Sequence, residues 1–152
     1  MFWDFVIKDG VLLRYRWRLL KISCVEVPDT VKKIAPKAFS MCRGIQKIIL
    51  PTTITEIGSE TFKGCSALES INLPGGLVKL GAEAFRNCSS LKEITLPVGI
   101  PDVREFIFCN CKSLQKIELS DYVERIEAHA FYGCKSLETI KIPERVSVIS
   151  DF

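Results

Sequence analysis

Apolar residues recur at the same slots of a 23-residue phrase, with no insertion, from Val31 to Arg145. The copies begin at Val31, Ile54, Leu77, Ile100 and Val123, and a partial sixth begins at Val146. In the second copy the apolar slots are Ile54, Ile57, Thr61, Phe62, Cys65, Leu68, Ile71 and Leu73. The third reads Leu77, Leu80, Ala84, Phe85, Cys88, Leu91, Ile94 and Leu96. Eight such positions cannot close a core alone, whereas stacked coils bury them as one column, so the period predicts a repeat solenoid.

Within a copy, Leu68–Leu73 alternates, placing Leu68, Ile71 and Leu73 inward and Ser70 and Asn72 outward. Each such strand is expected to pair with its counterpart one coil away, giving a parallel sheet along one face. Pro28, Pro51, Pro74, Pro97 and Pro143 follow the strands, where a missing N–H ends the ladder; Ser120 takes this slot in the fourth copy. The Val-x-x-Ile segment reads as a short second strand, and Ala-Phe-x-x-Cys as one 3₁₀ or helical turn. The rings Phe39, Phe62, Phe85, Phe108 and Phe131 are expected to form one buried stack.

The repeated phrase, best seen in Leu68–Cys88, resembles the BspA-like, Treponema-type leucine-rich repeat. The resemblance covers about Ile22 to Ile149, with Phe5–Tyr15 similar to the hairpin that caps such arrays. It implies a curved solenoid for adhesion or protein binding, frequently at microbial surfaces, with no catalytic residues. It also implies docking on the outer face of the sheet. Its two columns are Cys24, Lys47, Ser70, Glu93, Lys116, Thr139 and Glu26, Ile49, Asn72, Thr95, Glu118, Lys141. Of these, Lys47, Ile49, Ser70, Asn72, Glu93, Thr95, Lys116, Glu118, Thr139 and Lys141 are the expected partner-binding residues. Ion pairs Glu93–Lys116 and Glu118–Lys141 across strands would satisfy part of that face internally.

Two domains of the chain are distinguished, a hairpin cap over 1–21 and the solenoid over 22–152. Asp9-Gly10 between two apolar runs is a two-residue hairpin signal. Trp3 or Trp17 is expected to cover the first coil's core. The fourth copy departs from the pattern, because Pro101 enters early, Arg104 takes the slot of Gly58 and Gly81, and Ile107 replaces a small residue. A local distortion is expected there.

Net charge is +3, but it is unevenly spread. Residues 1–50 hold ten Lys/Arg and four Asp/Glu, net +6, and residues 51–152 hold eleven and fourteen, net −3. A polyanion-binding alternative would use Arg14, Arg16, Arg18, Lys21, Lys32, Lys33 and Lys37. The Arg14–Arg18 stripe reads more simply as a cap strand with its arginines in water, so nucleic acid is not expected. A structural, self-assembling unit is the third alternative, with self-association through 137–152. The strand Leu137–Ile142 would end its sheet, leaving Phe131, Ile140 and Ile142 uncovered.

Cys42, Cys65, Cys88, Cys111 and Cys134 recur at 23 residues. Stacked Cβ atoms near 4.8 Å lie beyond the roughly 3.8 Å a disulfide prefers, so these are read as free, buried thiols. Cys24 and Cys109 are the thiols expected to be reachable. Zinc on Cys109-x-Cys111 would need ligands beyond His129, the one histidine. His129 reads as a solvated side chain in a variable slot. No metal, cofactor or catalytic residue is expected, since no phosphate-binding glycine loop, HExxH or Gly-x-Ser-x-Gly is present. No stretch approaches the roughly 20 apolar residues of a membrane span. Met1–Gly10 lacks secretory character, which fits a cytoplasmic protein if Met1 is its native start, or a surface or secreted one if a leader was removed.

Overall fold

The computed structural model describes residues 4–16 and 22–151. The hairpin pairs β1 (Phe5–Lys8) with β2 (Val11–Tyr15) antiparallel, and its turn residues Asp9 and Gly10 have φ of 50° and 74°. Left-handed values at both central positions match the twist of the flanking strands, which is why Asp-Gly sits there. The solenoid follows with two short strands per coil. In chain order they are β3 (Cys24–Glu26), β4 (Lys33–Ile34), β5 (Lys47–Ile49), β6 (Glu56–Ile57), β7 (Ser70–Ile71) and β8 (Lys79–Leu80). Next come β9 (Glu93–Thr95), β10 (Asp102–Val103), β11 (Lys116–Glu118), β12 (Arg125–Ile126) and β13 (Val148–Ile149). All solenoid pairings are parallel and in register at 23 residues, as the period requires.

The front wall carries β3-β5-β7 and then β9-β11; the back wall carries β1-β2-β4-β6-β8 and then β10-β12-β13. Each wall is therefore interrupted once. On the back, Thr55 and Val78 donate their N–H to the previous coil, to Lys32 and Thr55 respectively, each at 2.9 Å. Pro101 occupies that slot in the next coil and has no N–H to give. Just after β6, Gly58 lies so close to the coil below that a Cβ would fall 2.5 Å from the Pro36 nitrogen. Arg104 brings a Cβ to the equivalent slot, so β8 and β10 part and leave a cleft of about 240 Å³. The expected distortion of the fourth copy is present and has these two causes.

The third wall is not the expected 3₁₀ or helical turn, and no helix forms among the described residues. The seventh residue of each copy is left-handed: Lys37, Glu60, Glu83, Phe106 and His129, with φ from 51° to 62°. So is the eleventh: Met41, Gly64, Asn87, Asn110 and Gly133, with φ from 60° to 74°. Two left-handed residues four apart cannot sit in one right-handed helix. They instead aim alternate N–H groups at the next coil. Phe39, Phe62, Phe85 and Phe108 donate to the carbonyls of Thr61, Ala84, Ile107 and Ala130 at 2.9–3.0 Å. Met41, Gly64, Asn87 and Asn110 donate likewise to Lys63, Arg86, Cys109 and Tyr132 at 2.7–2.8 Å. This turn ladder runs without interruption from Lys37 to Asp151.

Behind it stands the ring column. Tyr15, Phe39, Phe62, Phe85, Phe108 and Phe131 stack with centroids 5.2–5.8 Å apart. Phe39, Phe62, Phe85 and Phe108 are fully buried, while Phe131 in the last full coil is half-buried. Tyr15, with Phe5 tilted on it at 5.2 Å, closes the column at the hairpin end. Trp3 and Trp17, expected as that lid, lie outside the described residues. The cysteine ladder is free, and its thiols do more than fill space. Cys65, Cys88, Cys111 and Cys134 each donate S–H at 3.1 Å to the carbonyl of the Phe one coil below. Cys24 is exposed as expected, but Cys109 is buried at 2%, outside the core cluster and in the outward slot that Lys63 and Arg86 hold in earlier coils.

The strand expected at Leu137–Ile142 is not formed. Gln46, Glu69, Lys92 and Gln115 each donate their backbone N–H to the coil below, whereas Glu138 does not. With Leu137 and Ile140 only half-buried, nothing holds that segment flat against β11. The chain nevertheless completes the back wall of a sixth coil through β13.

Replacing Phe85 by Ala should cost about 3–5 kcal/mol, measured by denaturant unfolding, and Phe131→Ala clearly less because that ring is half-buried. Equal costs would contradict a column centred on coils two to four. Burial pushes the Cys42 and Cys134 thiols from 9.0 up to about 11 and raises those of Cys65, Cys88 and Cys111 well above their ordinary value. The folded chain therefore holds protons that the unfolded chain releases above pH 9, so stability is full below pH 9 and falls as pH rises through 9 to 11. An unfolding midpoint that stays level from pH 8 to 10.5 would contradict this.

Candidate interaction face

Outward residues of the front wall come from β5, β7, β9 and β11, and each faces solvent because its in-sequence neighbours fill the core. Lys47, Ser70, Asn72, Glu93, Thr95, Lys116 and Glu118 are exposed there, and Ile49 is half-buried. Thr139 and Lys141 are exposed but lie on no strand, since the fifth front strand is missing. Six of the expected residues, Ser70, Asn72, Glu93, Thr95, Lys116 and Glu118, come together around one groove of about 610 Å³.

The groove exists because the front ladder fails between β7 and β9. Asn72 turns its amide onto the coil below, accepting from Leu50 N–H at 3.1 Å and donating to Leu50 C=O at 3.0 Å. The side chain thus makes the bond that backbone makes elsewhere, as from Val27 to Ile49. Past that point the chain lifts outward: Leu73 is half-buried where Leu50 and Leu96 are 3% and 2% exposed. No backbone hydrogen bond joins residues 70–73 to 93–96; Lys92 to Glu69 at 3.3 Å is the last contact of that ladder. Gly75 lines the groove's end, where nothing stands within 4 Å of the position of a Cβ.

Among the groove's lining residues the charges pair along one strand, while just before β7 and β9 Glu69 and Lys92 pair across coils at 2.6 Å. Lys116 binds Glu118 at 2.6 Å, and Glu118 also accepts from the Thr95 hydroxyl at 3.1 Å. The expected pairs Glu93–Lys116 and Glu118–Lys141 are not made, because outward neighbours two apart on a strand reach one another first and residues 139–141 do not reach β11. Lys116 holds the Glu118 carboxyl below its ordinary value, with the Thr95 hydroxyl adding to it.

The turn wall carries features the sequence did not disclose. Lys63 bridges Glu60 at 2.9 Å and Glu83 at 2.7 Å, and Arg86 closes on Glu83 at 3.0 Å. These contacts lower the Glu83 carboxyl, first through Lys63. Above them Arg86 covers the Phe106 ring at 5.1 Å, and Phe106 leans on His129 at 4.9 Å. His129 is thus half-buried in a fixed left-handed slot, a correction to the expected solvated one. Slot comparison at 23 residues, which sets Glu83, Phe106 and His129 in one column, was the signal that could have found this stack. The basic set is partly neutralised: Lys33 pairs with Glu56 at 2.6 Å and Lys37 with Glu60 at 3.3 Å, while Arg18 and Lys21 lie outside the described residues. Among the described residues no three His, Cys, Asp or Glu gather as a metal site, and no helix is long and apolar enough to cross a membrane.

Comparison with known folds agrees with this architecture. A leucine-rich cell surface protein of Faecalibacterium prausnitzii superposes with a TM-score of 0.70 at 25% identity, over 96% of this chain and 48% of that one. The leucine-rich repeat protein of T. pallidum gives 0.70 at 27% identity, over 92% and 77%. One from Eubacterium ventriosum gives 0.73 at 23%, over 94% and 45%, and shares the fold. The chain spans about half the length of the first and third. A comparison with curated proteins finds no match. Repeats of this kind are generally non-enzymatic and suited to protein interaction. The model of the BspA type leucine rich repeat region matches residues 14–111 and 55–152 in six copies, and the chain belongs to that family.

Proposed function

We propose that this chain is a non-enzymatic interaction module that binds a protein partner on the outer face of its front wall. One observation carries this: the residues exposed on β7, β9 and β11 converge on a single groove where the sheet's own hydrogen bonding lapses. A concave site with an apolar floor of Ile71 and Ile94 and a few placed polar groups is the usual form of a binding site. The F. prausnitzii relative is a cell surface protein, which supports a surface role here. Capture from the source organism with the wild-type chain, against one bearing Lys47→Glu, Glu93→Lys and Lys116→Glu, tests it. Loss of the captured protein in the reversed bait is expected; identical captures would contradict the reading.

A second contact is supported by Ile142 of the fifth coil and by Val148 and Ile149 of β13, which are 39%, 45% and 50% exposed. Self-association through residues 137–152 would cover them. Light scattering should then show a dimer that Ile142→Lys dissociates. A monomer at high concentration, unchanged by the substitution, would contradict it.

A further inference from the structure

The groove between β7 and β9 leaves main-chain groups open, and its charged rim is net acidic. Alternation along a parallel ladder turns the backbone groups of Ile71 and Leu73 toward β9, and those of Glu93 and Thr95 toward β7. None of these finds a backbone partner across the gap. The N–H and C=O groups of Ile71, Glu93 and Thr95 therefore face the groove without a main-chain partner. Two carboxylates, Glu93 and Glu118, stand on its rim. Lys116 is the one cation lining it, and its ammonium is held by Glu118 at 2.6 Å. Glu93 has no cation within 4.0 Å among the described residues.

The gap is too narrow for strand addition. An inserted strand would hold β7 and β9 roughly 9.6 Å apart, two inter-strand spacings, whereas their Cα atoms still approach within 8 Å. A side chain can enter where a backbone cannot. We propose that the groove receives a basic side chain, arginine before lysine, from an extended segment of the partner protein. Its guanidinium has five donors in a planar fork and no acceptor, which matches a carboxylate flanked by free carbonyls. The segment on either side of it lies along Leu73 and Pro97. An acidic side chain would instead meet two carboxylates, and an apolar one would leave the open carbonyls unsatisfied. This rests on the front wall being the binding face, and narrows the partner to a polypeptide with a basic residue at the contact.

The test titrates isotope-labelled protein with the capped heptapeptide Gly-Ser-Gly-Arg-Gly-Ser-Gly, following amide shifts. Matching peptides carry citrulline or Glu at the centre. The arginine peptide should move the amides of residues 70–73 and 93–95, and citrulline, isosteric but neutral, should bind about five- to tenfold more weakly. Glu93→Gln should weaken the arginine peptide about as much, while Glu26→Gln, three coils from Glu93 on the same wall, should not. No shift at millimolar peptide, equal binding of arginine and citrulline, shifts confined to another wall, or an unchanged Glu93→Gln would each overturn the proposal. The two readings fail separately. If the charge-reversed bait loses its protein while the arginine peptide leaves the groove unmoved, the binding face stands and the basic side chain is wrong. If the peptide binds through Glu93 while both baits capture alike, the groove chemistry stands and its use as the partner face is wrong.

Discussion

The coils are held together first by the hydrogen bonds of the turn wall. In the first four coils three N–H groups, of the seventh, ninth and eleventh residues, reach the coil above, and in the fifth the seventh does; this ladder alone continues through every described junction of the repeats. It requires left-handed backbone at two positions per coil, which costs roughly 1–2 kcal/mol each for a residue with a Cβ. The bonds it makes, the thiol donors beside it and the ring column behind it offset that cost. An inserted residue would put both left-handed slots out of phase with the coils on either side. The fixed period of 23 follows from this constraint.

Because the turn wall fixes the register, the strands are free to be short and to fail locally. Back and front walls each lose one ladder, and both losses trace to particular side chains. Pro101 withdraws a donor and Arg104 adds a Cβ where two glycines had let coils close. Asn72 diverts a bond to its own amide and lifts the chain after it. Neither interruption disturbs the ring column, whose centroids stay 5.2–5.7 Å apart across both of them. A solenoid stabilised on one wall can thus carry open backbone on another.

The core was legible in the sequence because burial repeats with the period: Ile54, Phe62, Cys65 and Leu68 are at 0% exposure, as their slots imply. The outer columns were legible for the same reason as far as β11. What was not legible depends on backbone conformation. Lys37, Glu60, Glu83, Phe106 and His129 carry no glycine or asparagine signature, since cross-coil bonds rather than side-chain preference hold them left-handed. The missing fifth front strand has the same apolar slots as its neighbours, yet Glu138 makes no hydrogen bond to the coil below and Leu137 and Ile140 stay half-buried. The groove was hidden because it arises from one asparagine choosing main chain over solvent, although Asn72 followed by Leu73-Pro74-Gly75-Gly76 was the place to look.

Native-state amide hydrogen exchange tests most directly whether the turn wall, and not the sheet, holds the coils. The amides of Phe62, Gly64, Phe85, Asn87 and Phe108 should be among the slowest, opening only with global unfolding. Those of Leu73 and Thr95 should exchange faster by orders of magnitude, because no backbone partner covers them. Protection of Leu73 and Thr95 equal to that of the turn wall would mean that the front ladder is continuous, and would contradict both the groove and the account of what stabilises the fold.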